Sequence, residues 1–148
     1  MNLTIRHPQP SEYDTVTRVW MAGWESTGLS HAADASFEEL RARIPINVAS
    51  TWDLFVADLD GKIVGMLALK PAENQLDQLF LHPDFQRRGI GRELLDFAKA
   101  RSPGGLWLRT AEKNTRAITF YEAAGFAFER REPRPEYDRH DVYYRWTV

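Results

Sequence analysis

The sequence contains no cysteine, and this absence excludes several kinds of protein. A disulfide-stabilised scaffold, a cysteine-nucleophile enzyme and a thiolate metal site all need cysteine thiols. Long apolar runs are also missing, since the longest, Ile63–Leu69, is far too short to cross a bilayer. Residues Met1–Pro10 lack the apolar core of a signal peptide, so we expect a cytoplasmic protein that does not bind membranes.

Neither sign of charge dominates the sequence, which has 19 Lys and Arg against 21 Asp and Glu and a formal net charge of −2. This balance gives no general electrostatic reason to bind nucleic acid. The 148 residues are 43% hydrophobic and 27% charged, which is typical of a soluble globular domain. No repeat and no Gly/Ser-rich linker divides them, so we expect a single domain over residues 1–148.

Residues that cap helix N termini identify the first two predicted helices. Ser11, with Asp14 three residues later, can cap a helix whose apolar residues recur at helical spacing. Ser36 with Glu39 precedes a second helix in the same way. Pro45 is expected to end that helix, because proline removes an N–H donor. The alternating segment Leu3–Ile5 predicts a strand before both helices.

Strands dominate the middle of the chain, and strands alternate with helices after it. Asp60-Gly61 supplies the positive φ angles of a tight turn and so predicts a β-hairpin. Apolar spacing predicts a helix from about Gly89 to Arg101, and Asn114 caps a further helix that ends at Gly125. The predicted strands are Leu54–Leu59, Ile63–Leu69, Leu76–Leu81, Leu106–Arg109, Phe126–Arg130 and Val142–Val148.

The order of these elements predicts the fold class. The segment Glu129–His140 is rich in proline and charge and is interpreted as a loop. Strand–helix–strand units need parallel pairing, whereas the earlier hairpin needs antiparallel pairing. The sequence therefore predicts a mixed α/β sheet of about seven strands, flanked on both faces by about four helices.

The most informative segment is Gln86–Gly91, between a predicted strand and a predicted helix. Its glycines let the backbone approach a ligand, and a helix start leaves N–H groups unpaired and favours an anion. Arg87, Arg88 and Arg92 add positive charge where cations are unfavourable for the helix itself, which a bound anion would explain. A glycine-rich turn with solvated arginines explains the segment equally well. Neither a dinucleotide fingerprint nor a nucleotide triphosphate loop fits, because the third glycine and the Gly-Lys-Ser/Thr are missing.

This segment resembles the phosphate motif of the GNAT superfamily of acyl-CoA-dependent N-acyltransferases, Gln/Arg-x-x-Gly-x-Gly/Ala. Gln86–Gly91 matches every fixed position, and Leu79–Pro83 looks like the strand end that precedes it. A second family segment is matched from Asn114 through Tyr121 to Phe126. The element order also matches over nearly the whole chain. The resemblance implies a single GNAT-like domain that transfers an acetyl group from acetyl-CoA to an amine.

The resemblance also implies which residues bind coenzyme A. Backbone N–H groups of the motif would bind its pyrophosphate, and main-chain groups of the preceding strand would bind the pantetheine arm and the acetyl carbonyl. The residues implied are Leu79, Phe80, Leu81, Gln86, Arg87, Arg88, Gly89, Ile90, Gly91, Arg92, Asn114 and Tyr121. Asn114 is a sound helix cap in any case, and Leu79 and Leu81 can be core side chains while their backbone binds ligand.

Tyr121 is the implied general acid. In the family this hydroxyl lies by the thioester sulfur, and a phenol with a pKa of about 10 can protonate a thiolate whose conjugate acid is near 8.5. Asn114 and Tyr121 are seven residues apart on one helix face, with a rise of roughly 10 Å, so one ligand could touch both. The alternative for Tyr121 is an ordinary core aromatic.

Asp77 is the candidate general base. It is the only acid in Leu76–Leu81, and by strand alternation it is expected on the same face as Leu79 and Leu81. A solvated strand-end aspartate is the alternative. Gln75, where some relatives would have glutamate, offers no base, and the acids held in reserve are Glu73 and Glu25.

The acceptor site is less defined by the sequence. Five aromatic residues could wall a pocket, although at least half are expected to be core: Trp20, Trp24, Trp52, Tyr137 and Tyr143. Acids that could attract a cationic amine alternate with arginines in the closing loop, so charge does not decide the acceptor. The histidines have no metal-ligand spacing, and we predict no metal. Dimers are common in the resembling family, but no residue pattern here indicates one.

Three function classes stay open at this point. The first is an acetyltransferase acting on the primary amine of a small molecule or a peptide. The second is a non-catalytic acyl-CoA-binding sensor or regulatory domain, and the third is a nucleic-acid or interaction protein that uses the arginine clusters. The acidic balance disfavours the third class. Tyr121 favours the first over the second.

Overall fold

The computed structural model describes residues 2–29 and 35–148. In that part of the chain, the helices are α1 (Tyr13–Glu25), α2 (Phe37–Val48), α3 (Ile90–Ala100) and α4 (Thr115–Ala123). The strands are β1 (Leu3–Arg6), β2 (Asp53–Leu59), β3 (Lys62–Lys70), β4 (Gln75–Leu81), β5 (Leu106–Ala111), β6 (Ala127–Arg134) and β7 (Arg139–Trp146). Within the same residues, no helix is long and apolar enough to span a membrane.

One seven-stranded sheet runs in the order β1-β2-β3-β4-β5-β7-β6. Neighbouring strands pair antiparallel except β4 and β5, which pair parallel. The connection between those two strands includes α3, as a parallel connection requires. The predicted mixed sheet flanked by helices is therefore confirmed.

The two faces of the sheet are covered by different pairs of helices. On the α1/α2 face, residues such as Val16, Trp20 and Ile44 form one hydrophobic cluster with side chains of β2 and β3. On the α3/α4 face, Leu94 and Tyr121 belong to a second cluster that reaches from β2 to β7. These two faces divide the environment of every strand.

The hairpin predicted at Asp60-Gly61 is present between β2 and β3. Both turn residues have positive φ, 52° for Asp60 and 89° for Gly61, as the tight turn requires. Ser36 and Glu39 also form the predicted capping box, with the Glu39 N–H 3.2 Å from the Ser36 hydroxyl oxygen. The turn and the capping box could be predicted because each depends only on residues that are close together in the sequence.

The expected starts and ends of the first two helices are wrong in two places. Ser11 does not cap α1, because the chain enters that helix through a 3-10 turn over Pro10–Glu12, where Glu12 accepts from the Gln9 N–H at 2.8 Å. Pro45 does not end α2, which continues to Val48. Proline removes only its own N–H, and the Ala49 N–H still donates to the Pro45 carbonyl at 3.0 Å.

The predicted loop over Glu129–His140 is also wrong. Residues 129–134 continue β6, which pairs with β7 as far as Arg134↔Arg139. Most of β6 is exposed because it lies at the sheet edge, so it needs no alternation of apolar and polar residues. Its charged side chains pair with one another instead, as in the 2.7 Å contact between Arg130 Nε and a Glu132 carboxylate oxygen.

Candidate functional site

The central sheet is incompletely paired between β4 and β5. The only register pair between these two strands is Gln75↔Trp107, next to a bond from the Trp107 N–H to the Asn74 carbonyl. Beyond that point the strands have no ladder pairs, and we call the space between them the gap. Because adjacent strands normally share a continuous ladder, the gap leaves main-chain groups of β4 without a strand partner.

Residues of β4 that face the gap can be identified from its pairing with β3. The His82 N–H donates to the Val64 carbonyl at 2.9 Å, so these two residues form a hydrogen-bonded pair. From that point along the two strands, hydrogen-bonded and non-hydrogen-bonded pairs alternate. The alternation directs the main-chain groups of Leu79 and Leu81 away from β3 and toward the gap. The Leu81 carbonyl there accepts from the Gln86 side-chain amide at 3.3 Å.

A β-bulge changes the position of Asp77. The register with β3 passes from Ala68↔Gln78 to Leu69↔Leu76, which leaves Asp77 as the extra residue. Its carboxylate accepts from Trp52 Nε1 at 2.8 Å, on the α1/α2 face. The expectation that Asp77 shares a face with Leu79 and Leu81 is therefore wrong, because both leucines pack on the α3/α4 face.

A cavity of about 750 Å³ lies at the gap and is lined from both faces of the sheet. Trp20 and Trp52 line it on the α1/α2 face, whereas Leu108 and Tyr121 line it on the α3/α4 face. Asp77 is part of the same lining. The cavity therefore passes through the sheet, and a ligand within it can be approached from two opposite sides.

Tyr121 projects from the last turns of α4 into this cavity. Its side chain is buried, with 7% of its surface exposed, and its ring packs edge-on against Phe126 and Phe120. Burial raises the pKa of the Tyr121 phenol above its ordinary range. The phenol therefore keeps its proton through neutral pH. Asn114, two turns earlier on α4, also lines the cavity and caps the helix by accepting from the Ala117 N–H at 3.3 Å.

The segment before α3 presents a run of unpaired backbone donors. Arg87 and Gly89 have positive φ, 64° and 85°, with a negative φ between them, and such alternation turns successive N–H groups to one side. Glu93 is the first residue of α3 whose N–H bonds back, to the Gly89 carbonyl. Within the described residues, the N–H groups of residues 87–92 have no acceptor. Such a run of unpaired donors at a helix start is suited to an anion, and we call it the cradle.

The side chains around this cradle have varied contacts. Gln86 does not point to the cradle but joins three elements, donating to the Ser26 hydroxyl at 3.3 Å and accepting from Arg116 at 2.7 Å. Arg92 pairs with Asp96 at 3.2 Å, and Arg88 lies over the Phe85 ring. Gln86 thus positions the cradle, whereas the arginines keep positive charge near it.

Some of the other acids and aromatic residues considered from the sequence line the cavity, and the others lie outside it. Glu25 lines the cavity, whereas the Glu73 side chain is exposed outside it. Among the five aromatic candidates, Tyr143 is buried away from the cavity against Trp107, and the other four line it: Trp20, Trp24, Trp52 and Tyr137. Trp20 and Trp52 are also members of the core, so these two residues serve both roles.

Several residues of the cavity were missed by sequence reasoning. Asp141, 1% exposed, pairs with Arg134 and Arg139 at 2.9 Å each, and the Tyr137 ring lies about 5 Å from both guanidinium groups. Arg109 is exposed in the middle of β5 and lines the same cavity. A charged residue within an otherwise apolar strand was the available signal for Arg109. In residues 2–29 and 35–148, no group of His, Asp and Glu side chains could hold a metal ion.

Comparisons with known proteins agree with this geometry. Residues 15–126 match the model of the acetyltransferase (GNAT) family. The chain is 33% identical to the peptidyl-lysine N-acetyltransferase YjaB of Salmonella typhimurium, over 85% of this chain and 84% of that protein. It is also 33% identical to the peptidyl-lysine N-acetyltransferase YiaC of Escherichia coli, over 82% of each chain.

Solved structures show the same fold. The PaiA N-acetyltransferase of Thermoplasma acidophilum, solved in complex with coenzyme A, superposes with a TM-score of 0.78 at 21% identity, covering 100% of both chains. The family match over most of the chain and the two relatives agree with the motif and with the fold. The chain belongs to the acetyltransferase (GNAT) family, whose acyl donor is acetyl-CoA.

Proposed function

We propose that the protein transfers an acetyl group from acetyl-CoA to a primary amine of a small molecule or peptide, by direct attack in a ternary complex. The observation that carries this proposal is the cavity through the sheet, which has Tyr121 on one face and Asp77 on the other. The attacking amine and the leaving thiolate are separate substituents of the tetrahedral intermediate, and the cavity offers a base for the one and an acid for the other on different faces of the sheet.

The cofactor would bind along the α3/α4 face. The pyrophosphate is held by the unpaired N–H groups of residues 87–92, assisted by the dipole of α3 and by the charges of Arg87, Arg88 and Arg92. The pantetheine arm then follows the gap, where the main-chain groups of Leu79 and Leu81 flank Phe80. Asn114 lines the path between the cradle and the thioester.

The reaction balances with the groups in the cavity. The neutral amine attacks the acetyl carbonyl, the new C–N bond forms, and the N–H of Leu79 stabilises the oxyanion. Asp77 accepts the proton that the amine loses, directly or through water. The C–S bond then breaks, and Tyr121 donates its proton to the sulfur. With no cysteine in the chain, no thioester acyl-enzyme can form, which favours direct attack.

A thermal unfolding experiment tests the donor half of the proposal. Acetyl-CoA at 100 times its dissociation constant should stabilise the protein by about 2.7 kcal/mol. Free coenzyme A should compete for the same site. Absence of any stabilisation overturns the cofactor assignment.

Release of free thiol during incubation with a panel of amines tests the transfer step. Turnover supports the enzyme, whereas acetyl-CoA binding without thiol release for any amine supports the acyl-CoA sensor instead. Asp77→Asn should reduce turnover about 100-fold at neutral pH and change the pH–rate profile. Glu73→Gln is the matched control, because Glu73 is an exposed carboxylate outside the cavity. An unchanged pH–rate profile in Asp77→Asn removes Asp77 as the base.

A further inference from the structure

The charged lining of the cavity carries more positive than negative side chains. Its basic residues are Arg43, Lys70, Arg109, Arg134 and Arg139, and its acidic residues are Glu25, Asp77 and Asp141. The whole chain has the opposite balance, with a net charge of −2. Positive charge is therefore concentrated at this cavity relative to the rest of the protein.

Two of these basic residues are already neutralised. Arg134 and Arg139 both pair with the buried Asp141, and Arg134 also contacts Glu136 at 2.5 Å. The same guanidinium groups hold the Tyr137 ring by cation–π contact. This cluster is therefore a rigid wall, and it leaves little charge for a ligand.

Lys70 and Arg109 differ from that wall because their side chains have no hydrogen bond or ion pair with any described residue. Arg109 is near enough to Glu132 to help lower the pKa of that carboxyl, though less than Arg130 does. Both line the cavity that also holds Asp77. Lys70 pairs in register with Gln75, and Gln75 donates to the Asp77 carboxylate at 3.4 Å. Arg109 follows the single pair Gln75↔Trp107 on β5, and Asp77 follows it on β4, where the two strands no longer share a ladder. The base therefore shares its cavity with two cations whose side chains have no ion-pair partner among the described residues.

We propose that the acceptor is a primary amine that also carries an anionic group, a carboxylate, which Arg109 and Lys70 bind while the amine lies at Asp77. This inference rests on the proposed function and specifies its substrate class. A guanidinium offers paired donors that match a carboxylate, and an ammonium adds a point charge. The aromatic side chains Trp24 and Trp52 give the remaining wall an apolar character that suits the body of such an amine.

The same charges disfavour the opposite class of acceptor. A polyamine or a lysine-rich peptide would bring further positive charge against Lys70 and Arg109, and like charges in a cavity repel more strongly than in bulk water. The ammonium that becomes the nucleophile finds Asp77 beside it. Selectivity thus comes both from attraction of the carboxylate and from repulsion of a second cation.

Matched amines test the proposal with the unaltered protein. Phenylalanine and phenylalaninamide differ in the carboxylate, and because amidation also lowers the pKa of the α-ammonium, kcat/KM is compared per neutral amine. A second pair, 2-aminoethylphosphonate and propylamine, tests whether a phosphonate can replace the carboxylate. We expect kcat/KM to be about tenfold or more higher for the amino acid than for its amide. Spermidine and an acetyl-capped lysine amide should be the poorest acceptors.

Each outcome of this panel decides between the two proposals. Equal or better acetylation of the amide, spermidine or the capped lysine overturns the carboxylate inference and leaves the transferase intact. A preference for the phosphonate over the carboxylate also overturns it, in favour of a phosphate-bearing acceptor. If no amine is acetylated although acetyl-CoA binds, the proposed function itself fails, and the inference fails with it.

Substitutions then test whether Arg109 causes the preference for a carboxylate. Arg109→Gln should raise KM for the amino acid about tenfold, with kcat/KM for the amide changed less than twofold. Arg145→Gln is the matched control, because Arg145 is also an exposed arginine of the same sheet but lies outside the cavity. Acetyl-CoA affinity serves as the measure of folding in both variants. A loss of the same size for the amide and the amino acid contradicts the proposed contact.

Discussion

The two faces of the sheet contribute different kinds of group to one cavity. On the α3/α4 face the groups are mainly backbone N–H donors and one buried phenol, set in an apolar cluster. On the α1/α2 face they are charged and aromatic side chains around a β-bulge. Backbone donors suit a part of a ligand that is always the same, because amino-acid substitutions do not remove them. Side chains, by contrast, can be changed by single substitutions. The two faces therefore offer chemically distinct means of holding two substrates.

Tyr121→Phe gives the largest effect expected for the α3/α4 face. Removal of the phenolic proton donor should lower kcat about 100-fold, while the dissociation constant of acetyl-CoA stays within about twofold. Tyr144→Phe is the matched control, since the Tyr144 hydroxyl donates to Glu122 at 3.1 Å and does not line the cavity. Steady-state kinetics and calorimetric titration measure both quantities. Equal kcat values for Tyr121→Phe and the wild type dismiss Tyr121 as the acid.

Gly23→Ala tests the packing of the α1/α2 face. A Cβ at Gly23 would lie 2.7 Å from the Phe80 Cβ, so α1 would have to move away from β4. We expect the free energy of unfolding to fall by about 1–2 kcal/mol, because overpacking outweighs the gain in helix propensity. Gly104→Ala is the control, since its nearest neighbour would be an Asn74 side-chain atom at 3.5 Å. Urea denaturation that finds no difference between the two variants contradicts the close α1–β4 contact.

The smallest effect is expected at alkaline pH and again concerns Tyr121. Because burial raises the pKa of this phenol, the folded protein keeps the proton after the unfolded chain has lost it. The stabilisation is complete below the unfolded pKa of about 10 and is lost as pH rises beyond it, by about 1 kcal/mol at pH 11.

Tyr121→Phe should lack this loss, so unfolding of the two proteins should be compared from pH 8 to pH 11. The pKa of Tyr144 is also raised, by burial and by its bond to Glu122. That residue is present in both proteins and cancels in the comparison. Parallel stability curves for the two proteins would mean that Tyr121 is not buried as described.

Local signals accounted for most of the fold. The Asp60-Gly61 turn, the Ser36–Glu39 capping box and the Asn114 cap depend on residues next to each other in sequence, and each is present. The extent of β6 could not be predicted, because an edge strand with charged pairs on its exposed faces has no apolar alternation. The prediction that Pro45 ends α2 was wrong because one missing N–H does not end a helix on its own.

In the candidate site, too, local features could be predicted and features that depend on strand register could not. The cradle before α3 could be predicted because glycines and a helix start determine it within six residues. The position of Asp77 could not, because a bulge depends on the register between two strands and reverses the side-chain alternation. Arg109 was missed because its place in the cavity depends on how β5 lies against β4, which neighbouring residues in the sequence do not determine.

That single parallel pair has a mechanical consequence. It leaves four strands on one side and three on the other with little main-chain bonding across the middle, and β4 has an edge inside the sheet rather than at its rim. An extended ligand with amide groups can serve there as a temporary eighth strand. Occupancy would then couple the two halves of the molecule, and their relative stiffness would depend on whether the donor is bound.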